Sequence, residues 1–106
     1  MKAITLQQPW AWCIAHHTKR IENRSWAPPK SMIGERIAIH AGLKTDQQGI
    51  EWLRHEGVIT EMTPHMTRAG AIVCTAVIDS IVEDSDDMWF TGPIGWVLRD
   101  VQTIVE

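Results

Sequence analysis

The order of elements legible in this sequence predicts a small α+β fold, barrel-like and not doubly wound. Patterning gives β-α-β-β-α-β-β, with strands outnumbering helices and no regular strand-helix alternation of the kind that builds a parallel sheet. The 106 residues, 44% hydrophobic and 22% charged, fit one domain spanning residues 1–106 with a single core. No stretch reaches the roughly 18 apolar residues of a membrane span, and MKAITLQQPWAW lacks the basic-then-apolar order of a secretion signal. The expectation is a cytoplasmic protein with no membrane contact.

Each element has a local reason. Lys2 to Leu6 alternates and is rich in strand formers, and Gln7-Gln8-Pro9 ends it before a helix that opens at Trp10-Ala11-Trp12-Cys13-Ile14-Ala15. In Arg20 to Trp26 the residues Ile21, Asn23 and Ser25 alternate with Arg20, Glu22, Arg24 and Trp26. One face of that strand therefore carries its charges beside an indole, which is not an ordinary core face. Ala27 to Lys30 is a turn, and Glu35 to His40 is the next strand, closed by His40. Thr45 to Glu56 reads as a helix stopped by Gly57, with Trp52 to the side or in a pocket wall. Val58 to Ala69 has no clear period and is taken as a loop with room for one helical turn. Gly70 to Ile81 is the longest β-rich apolar run and predicts a central strand buried on both faces. After the acidic bend Glu83 to Asp87 and a turn at Trp89 to Pro93, Gly95 to Val105 forms the last strand, bent near Arg99 and Asp100.

Ten Lys and Arg against thirteen Asp and Glu leave a net charge of −3, which argues against bulk binding to duplex phosphate. Residues 1–44 hold seven bases and two acids, +5, whereas residues 45–106 hold three bases and eleven acids, −8. An anionic ligand is expected on the basic half and a protein partner on the acidic half, unless the halves interleave in the fold. Cys13 and Cys74 lack CxxC or Cys/His spacing and read as reduced structural thiols. His16, His17, His40, His55 and His65 form no HxxxH or HxH pattern, so neither a metal site nor a cofactor is expected. Asp79, Glu83, Asp84, Asp86 and Asp87 lack the Gly and terminal Glu of a calcium loop and read as a solvated acidic segment.

The segment HHTKRIENRSW carries the strongest chemical signal. Glu22, Arg24 and Trp26 share a strand face and Lys19 precedes them, so an ammonium, a carboxylate and a guanidinium can converge on one cavity. Burial and neighbours tune such a lysine in either direction, which suits acid/base or oxyanion chemistry. The same spacing also suits an ion-pair network tying helix to strand. Six of the seven aromatic residues are Trp. Most of them belong in a core, and one or two are expected to form flat walls on which a base stacks. Trp10, Trp26 and Trp96 flank the charged segments. His40, beside the small Ala41-Gly42, is a further ligand candidate.

These residues together resemble the ASCH domains of the PUA-like superfamily. The likeness runs through ITLQQPWAW, the Lys19-x-x-Glu22-x-Arg24 core of the G-x-K-x-x-E-x-R motif, IHAG at 39–42 and GPIGWVLRDV at 92–101, nearly the whole chain in order. The motif's glycine position is held by His17, and the sequence ends at Glu106 where longer members continue, so the expectation is either a short form or a barrel whose closure a partner chain completes, an exposed edge strand then favouring a homodimer. The resemblance implies a PUA-like β-barrel flanked by two or three helices, with Lys19, Glu22 and Arg24 projecting into a cleft.

By the same resemblance the expected function is recognition of nucleic acid or a modified nucleotide. The partner would be single-stranded RNA or DNA, or a modified nucleoside. Trp10, Lys19, Glu22, Arg24, Trp26 and His40 are the candidate ligand contacts, with Trp10 and Trp26 framing the cleft. The alternative is a small hydrolase, an N4-acylcytidine amidohydrolase or a ribonuclease, with Lys19 as base or activated amine and Glu22 as proton shuttle. A third reading is a non-catalytic protein-interaction module.

Overall fold

A computed structural model describes residues 1–104. Its order is β1 (Ala3–Gln8), α1 (Trp10–His16), β2 (Ile21–Arg24), β3 (Arg36–Thr45), α2 (Gln47–His55), β4 (Ala71–Val82) and β5 (Ile94–Thr103), with single 3-10 turns at Lys30–Met32 and Pro64–Met66. This is the predicted β-α-β-β-α-β-β succession. Val105, expected at the end of the last strand, lies outside the described residues.

The strands form one curled half-barrel sheet in the order β1-β3-β4-β5-β2. The β1–β3 pair is parallel and the other three pairs are antiparallel. The apolar run at β4 takes the central place expected of it, and β1 and β2 are the edges. Asp100, at φ 50°, kinks β5 where its register on β4 slips, so the expected bend is there. Arg36 of β3 donates to the Asp100 carbonyl at 2.9 Å and pairs with its carboxylate. That pair joins the basic and the acidic halves of the sequence, which interleave.

Several boundaries differ from the sequence reading; β2 stops at Arg24, short of Trp26, and α2 covers only Gln47–His55. β1 runs on through Gln7 and Gln8, and β3 does not close at His40 but continues to Thr45. Both extensions come from one irregularity. Leu6 pairs with Ala41 and Gln8 with Thr45, so Gln7 alone faces Gly42, Leu43 and Lys44. Gly42 is a close approach: a β-carbon there would lie 2.8 Å from the Thr5 methyl.

Helix α1 lies against the sheet and separates two cores. Ala11, Ile14 and Ala15 pack with Ile37, Ile39, Ile78, Trp96 and Leu98 of the sheet. On its other side Cys13 joins Ile50 and Leu53 of α2 and Trp89. Both cysteines are free and buried, and loss of water pushes their thiols up to about 12 for Cys13 and about 11 for Cys74. They are inert core groups. No described helix is long and apolar enough to cross a membrane.

Gln8 fixes where α1 starts. It is fully buried, and its Oε1 accepts from the Trp12 N–H at 2.9 Å, satisfying a first-turn donor that Pro9 does not cap. Its Nε2 donates to the Arg68 carbonyl at 2.9 Å and the His65 carbonyl at 3.4 Å. One amide thus ties β1, α1 and the loop before β4 together. Truncation removes three hydrogen bonds and leaves a void where the fully buried side chain sat, so Gln8→Ala lowers unfolding stability by roughly 2 to 4 kcal/mol, as read from urea melts. A loss under about 0.5 kcal/mol would show that water replaces the amide.

Candidate functional site

Six segments converge on a cavity of about 630 Å³ at the open side of the sheet. β1 contributes Thr5, Leu6 and Gln7, β2 contributes Glu22, Asn23 and Arg24, the start of α2 contributes Asp46, Gln48, Gly49 and Trp52, and residues 88–91 contribute Met88, Trp89 and Thr91. Trp10 opens α1 into this space, and Lys19 enters from the turn between α1 and β2. The volume lies within the range of small-ligand sites.

Lys19 is 3% exposed, with its ammonium nitrogen 5.5 Å from the Trp10 ring centroid and 5.7 Å from that of Trp89. The ammonium donates to the Ile21 carbonyl. Desolvation is the main influence and lowers its pKa, opposed chiefly by the negative charge of Glu22 and more weakly by Asp87. Glu22 is displaced the other way: burial raises its pKa, against the pull of Lys19 and Arg24. The two groups therefore sit closer in proton affinity than a solvated pair would.

Arg24 Nε lies 3.3 Å from Glu22 Oε2, yet no acceptor stands in line with that N–H, so the pair is held by charge and not by a well-aimed hydrogen bond. Arg24 Nη2 also donates to the Thr5 carbonyl at 3.3 Å. That contact spans from edge strand β2 to edge strand β1, closing the open side of the sheet with a side chain. Asn23 points elsewhere. Its Nδ2 donates to the Trp89 carbonyl and its Oδ1 accepts from the Thr91 and Gly92 N–H groups, which fixes the loop that presents Trp89.

The indole walls are clamped. Asp46, the N-cap of α2, accepts from Gly49 N–H at 2.9 Å and from Trp10 Nε1 at 3.0 Å, so one carboxylate starts the helix and orients the ring. Trp89 Nε1 donates to Thr18 Oγ1 at 3.3 Å. Trp52 stands 6.2 Å from Trp10 and 5.8 Å from Trp89, tilted to both.

The cavity brings together Trp10, Lys19, Glu22 and Arg24 and leaves out the other two candidates. Trp26 lies beyond the end of β2, edge-on to Trp96. His40 lies within β3, its Nδ1 3.2 Å from Thr5 Oγ1. Trp96 is core. The sequence put Trp52 to the side or in a pocket wall and did not single out Trp89, Asp46 or Asn23 as site residues. Asp46 fell inside the helix expected over Thr45 to Glu56; the structure makes it the N-cap, and its bond to Trp10 depends on tertiary approach. His17, in the motif's glycine position, has an extended backbone with φ −133°, which a β-carbon tolerates. Among the described residues no cluster of His, Cys, Asp and Glu could hold a metal ion.

A protein-family model described as ASCH domain matches residues 4–91. No curated protein matches the chain.

The pair's opposite displacements have opposite consequences for stability. A raised Glu22 means that its contribution is complete below about pH 4.3, the ordinary carboxyl value, and is lost as pH rises through its folded-state value. A lowered Lys19 makes stability rise with pH between its folded-state value and about 10.4. The stability of wild type relative to Glu22→Gln, from urea melts between about pH 4 and 8, therefore falls as pH rises. A flat difference would refute a raised Glu22. Gly49→Ala tests the wall: its β-carbon would sit 2.4 Å from Trp10 Cζ2. The substitution destabilises by roughly 1 to 3 kcal/mol, against the usual gain of Ala over Gly in a helix, and shifts tryptophan emission.

Proposed function

The chain belongs to the ASCH domain family, and we propose that its cavity receives one unstacked nucleobase, of RNA or of a modified nucleoside. ASCH domains are generally thought to bind RNA. The observation that carries the reading is the composition of one cavity: Trp10, Trp52 and Trp89 as walls, with Lys19, Glu22 and Arg24 as the polar groups among them.

Protein recognition of RNA sequence favours single-stranded bases splayed onto aromatic surfaces and hydrogen-bonded along their edges. Indoles supply the stacking here. Arg24 and Lys19 supply donors for a base carbonyl oxygen or a phosphate, and Glu22 supplies the acceptor for an exocyclic amino group. A base that offers both an amino group and a carbonyl along one edge, as cytosine does, matches that set. With two cations, Lys19 and Arg24, balanced by two carboxylates, Glu22 and Asp46, at the cavity, affinity is modest and falls only gently with added salt.

A second reading is favoured by the buried Lys19–Glu22 pair, whose proton affinities are drawn towards each other. A neutral fraction of Lys19 would take a proton from water as it attacks the carbonyl carbon of an N4-acyl group. The C–N bond then breaks, the proton passes through Glu22 to the leaving nitrogen, and the products are a carboxylic acid and the free amino base. A phosphodiester of RNA is the other substrate this hydrolytic reading admits.

The test is calorimetric titration of wild type and Lys19→Met with cytidine and N4-acetylcytidine, with products followed by chromatography. Wild type is expected to bind, and folded Lys19→Met to lose roughly tenfold or more in affinity, about the 1.4 kcal/mol of one charged contact. Release of acetate by wild type and not by Lys19→Met would make the domain a hydrolase. Failure of either nucleoside and of short RNA to bind wild type would overturn the cavity as a base site.

A further inference from the structure

Outside the cavity stands one indole that the domain leaves in water: Trp26 is 53% exposed. A single exposed apolar side chain is unremarkable by itself. Trp26, however, is built into place. Trp96, which is 1% exposed, presents its ring to Trp26 at 5.4 Å and 76°, and Trp96 Nε1 donates to the Trp26 carbonyl at 3.0 Å. A core residue thus holds both the ring and the backbone of a surface residue, whose order is fixed before any ligand arrives.

Position gives this platform its meaning. The Arg24 guanidinium carbon lies 6.0 Å from the Trp26 centroid and 5.5 Å from that of Trp96, and the same Arg24 lines the cavity. Cavity and platform are therefore neighbours across one cationic side chain. Arg24 turns its buried Nε towards Glu22 and keeps 21% of its side-chain surface exposed. Two flat aromatic sites separated by a guanidinium repeat the order base, phosphate, base along a nucleic acid strand, and stacking on exposed aromatics tolerates any base.

We infer that the ligand is a single-stranded RNA segment and not a free nucleoside, with one base in the cavity, its adjoining phosphate at Arg24 and the neighbouring base stacked on Trp26. This rests on the base-binding reading of the cavity. It gives Trp26 a role other than framing the cleft, since the ring lies outside it. One base inside and one outside also account for a domain that encloses a nucleotide-sized volume yet keeps a rigid ring in water next to the cavity wall.

The experiment compares cytidine with a cytidine pentanucleotide by titration against wild type, Trp26→Ala, Trp26→Phe and Lys19→Met, each checked for folding by thermal melt. Wild type is expected to bind the pentanucleotide more tightly, and Trp26→Ala to reduce the ratio of pentanucleotide to cytidine affinity by roughly tenfold, the worth of one stacked base. Trp26→Phe restores most of that ratio, because a phenyl ring still stacks. An unchanged ratio in Trp26→Ala overturns the platform while leaving the cavity reading intact. Equal losses for both ligands overturn it too, because Trp26 would then act only by positioning Arg24. Absence of cytidine and pentanucleotide binding to wild type, or equal binding by Lys19→Met, removes the cavity reading and the platform with it.

Discussion

Burial of the Lys19 ammonium is the constraint on which the rest of the site depends. Taking a charged amine out of water costs several kcal/mol by itself, and the structure offsets that cost from every side. The Ile21 carbonyl accepts from it, Glu22 and Asp87 supply negative charge, and Trp10 and Trp89 supply ring faces. These partners come from β2, from α1 and from the loop before β5, so the ammonium stays charged only if three separate segments meet. Its lowered proton affinity shows that the offset is incomplete.

Structural residues of the fold act at the site as well. Asp46 caps α2 and orients Trp10. Gln8 starts α1, which places Trp10 at the helix's first position. Asn23 fixes the backbone of the 89–92 turn, and Trp89 follows. Arg24 bridges the two edge strands and pairs with Glu22. Side chains that satisfy backbone groups cannot drift without opening an unmet hydrogen bond, so the walls are held by the same interactions that hold the fold. This is preorganisation reached through caps and turns in a domain too small for a dedicated supporting shell.

Sequence patterning showed the seven elements in order because each is local: alternation for the strands, Pro9 and Asp46 for helix starts, Gly57 with its φ of 76° for a helix stop. It failed at His40, where parallel pairing to β1 carries β3 on to Thr45. It placed Lys19, Glu22 and Arg24 together because period two along one short strand is local information. Trp89 was not legible as a wall, since it is 67 residues beyond Glu22 and reaches the site only through β5 pairing with β2 and the Asn23 hydrogen bonds. The aromatic prior expected one or two indoles in a site, and the cavity holds three.

The distribution of the six tryptophans follows from what an indole is. A large apolar body with one N–H donor is well placed where its faces are covered and its edge meets an acceptor. Trp10, Trp89 and Trp96 meet that condition through Asp46, Thr18 and the Trp26 carbonyl. The acceptors differ in kind, and so do the consequences. A carboxylate and a hydroxyl hold the two cavity walls by side chains, whereas the buried Trp96 is spent on the backbone of the exposed Trp26. A core that used Phe at position 96 could fill much the same space but could not make that bond. The indole near the start of β5 therefore does more than pack: it ties the backbone of Trp26 to the sheet beside the cavity.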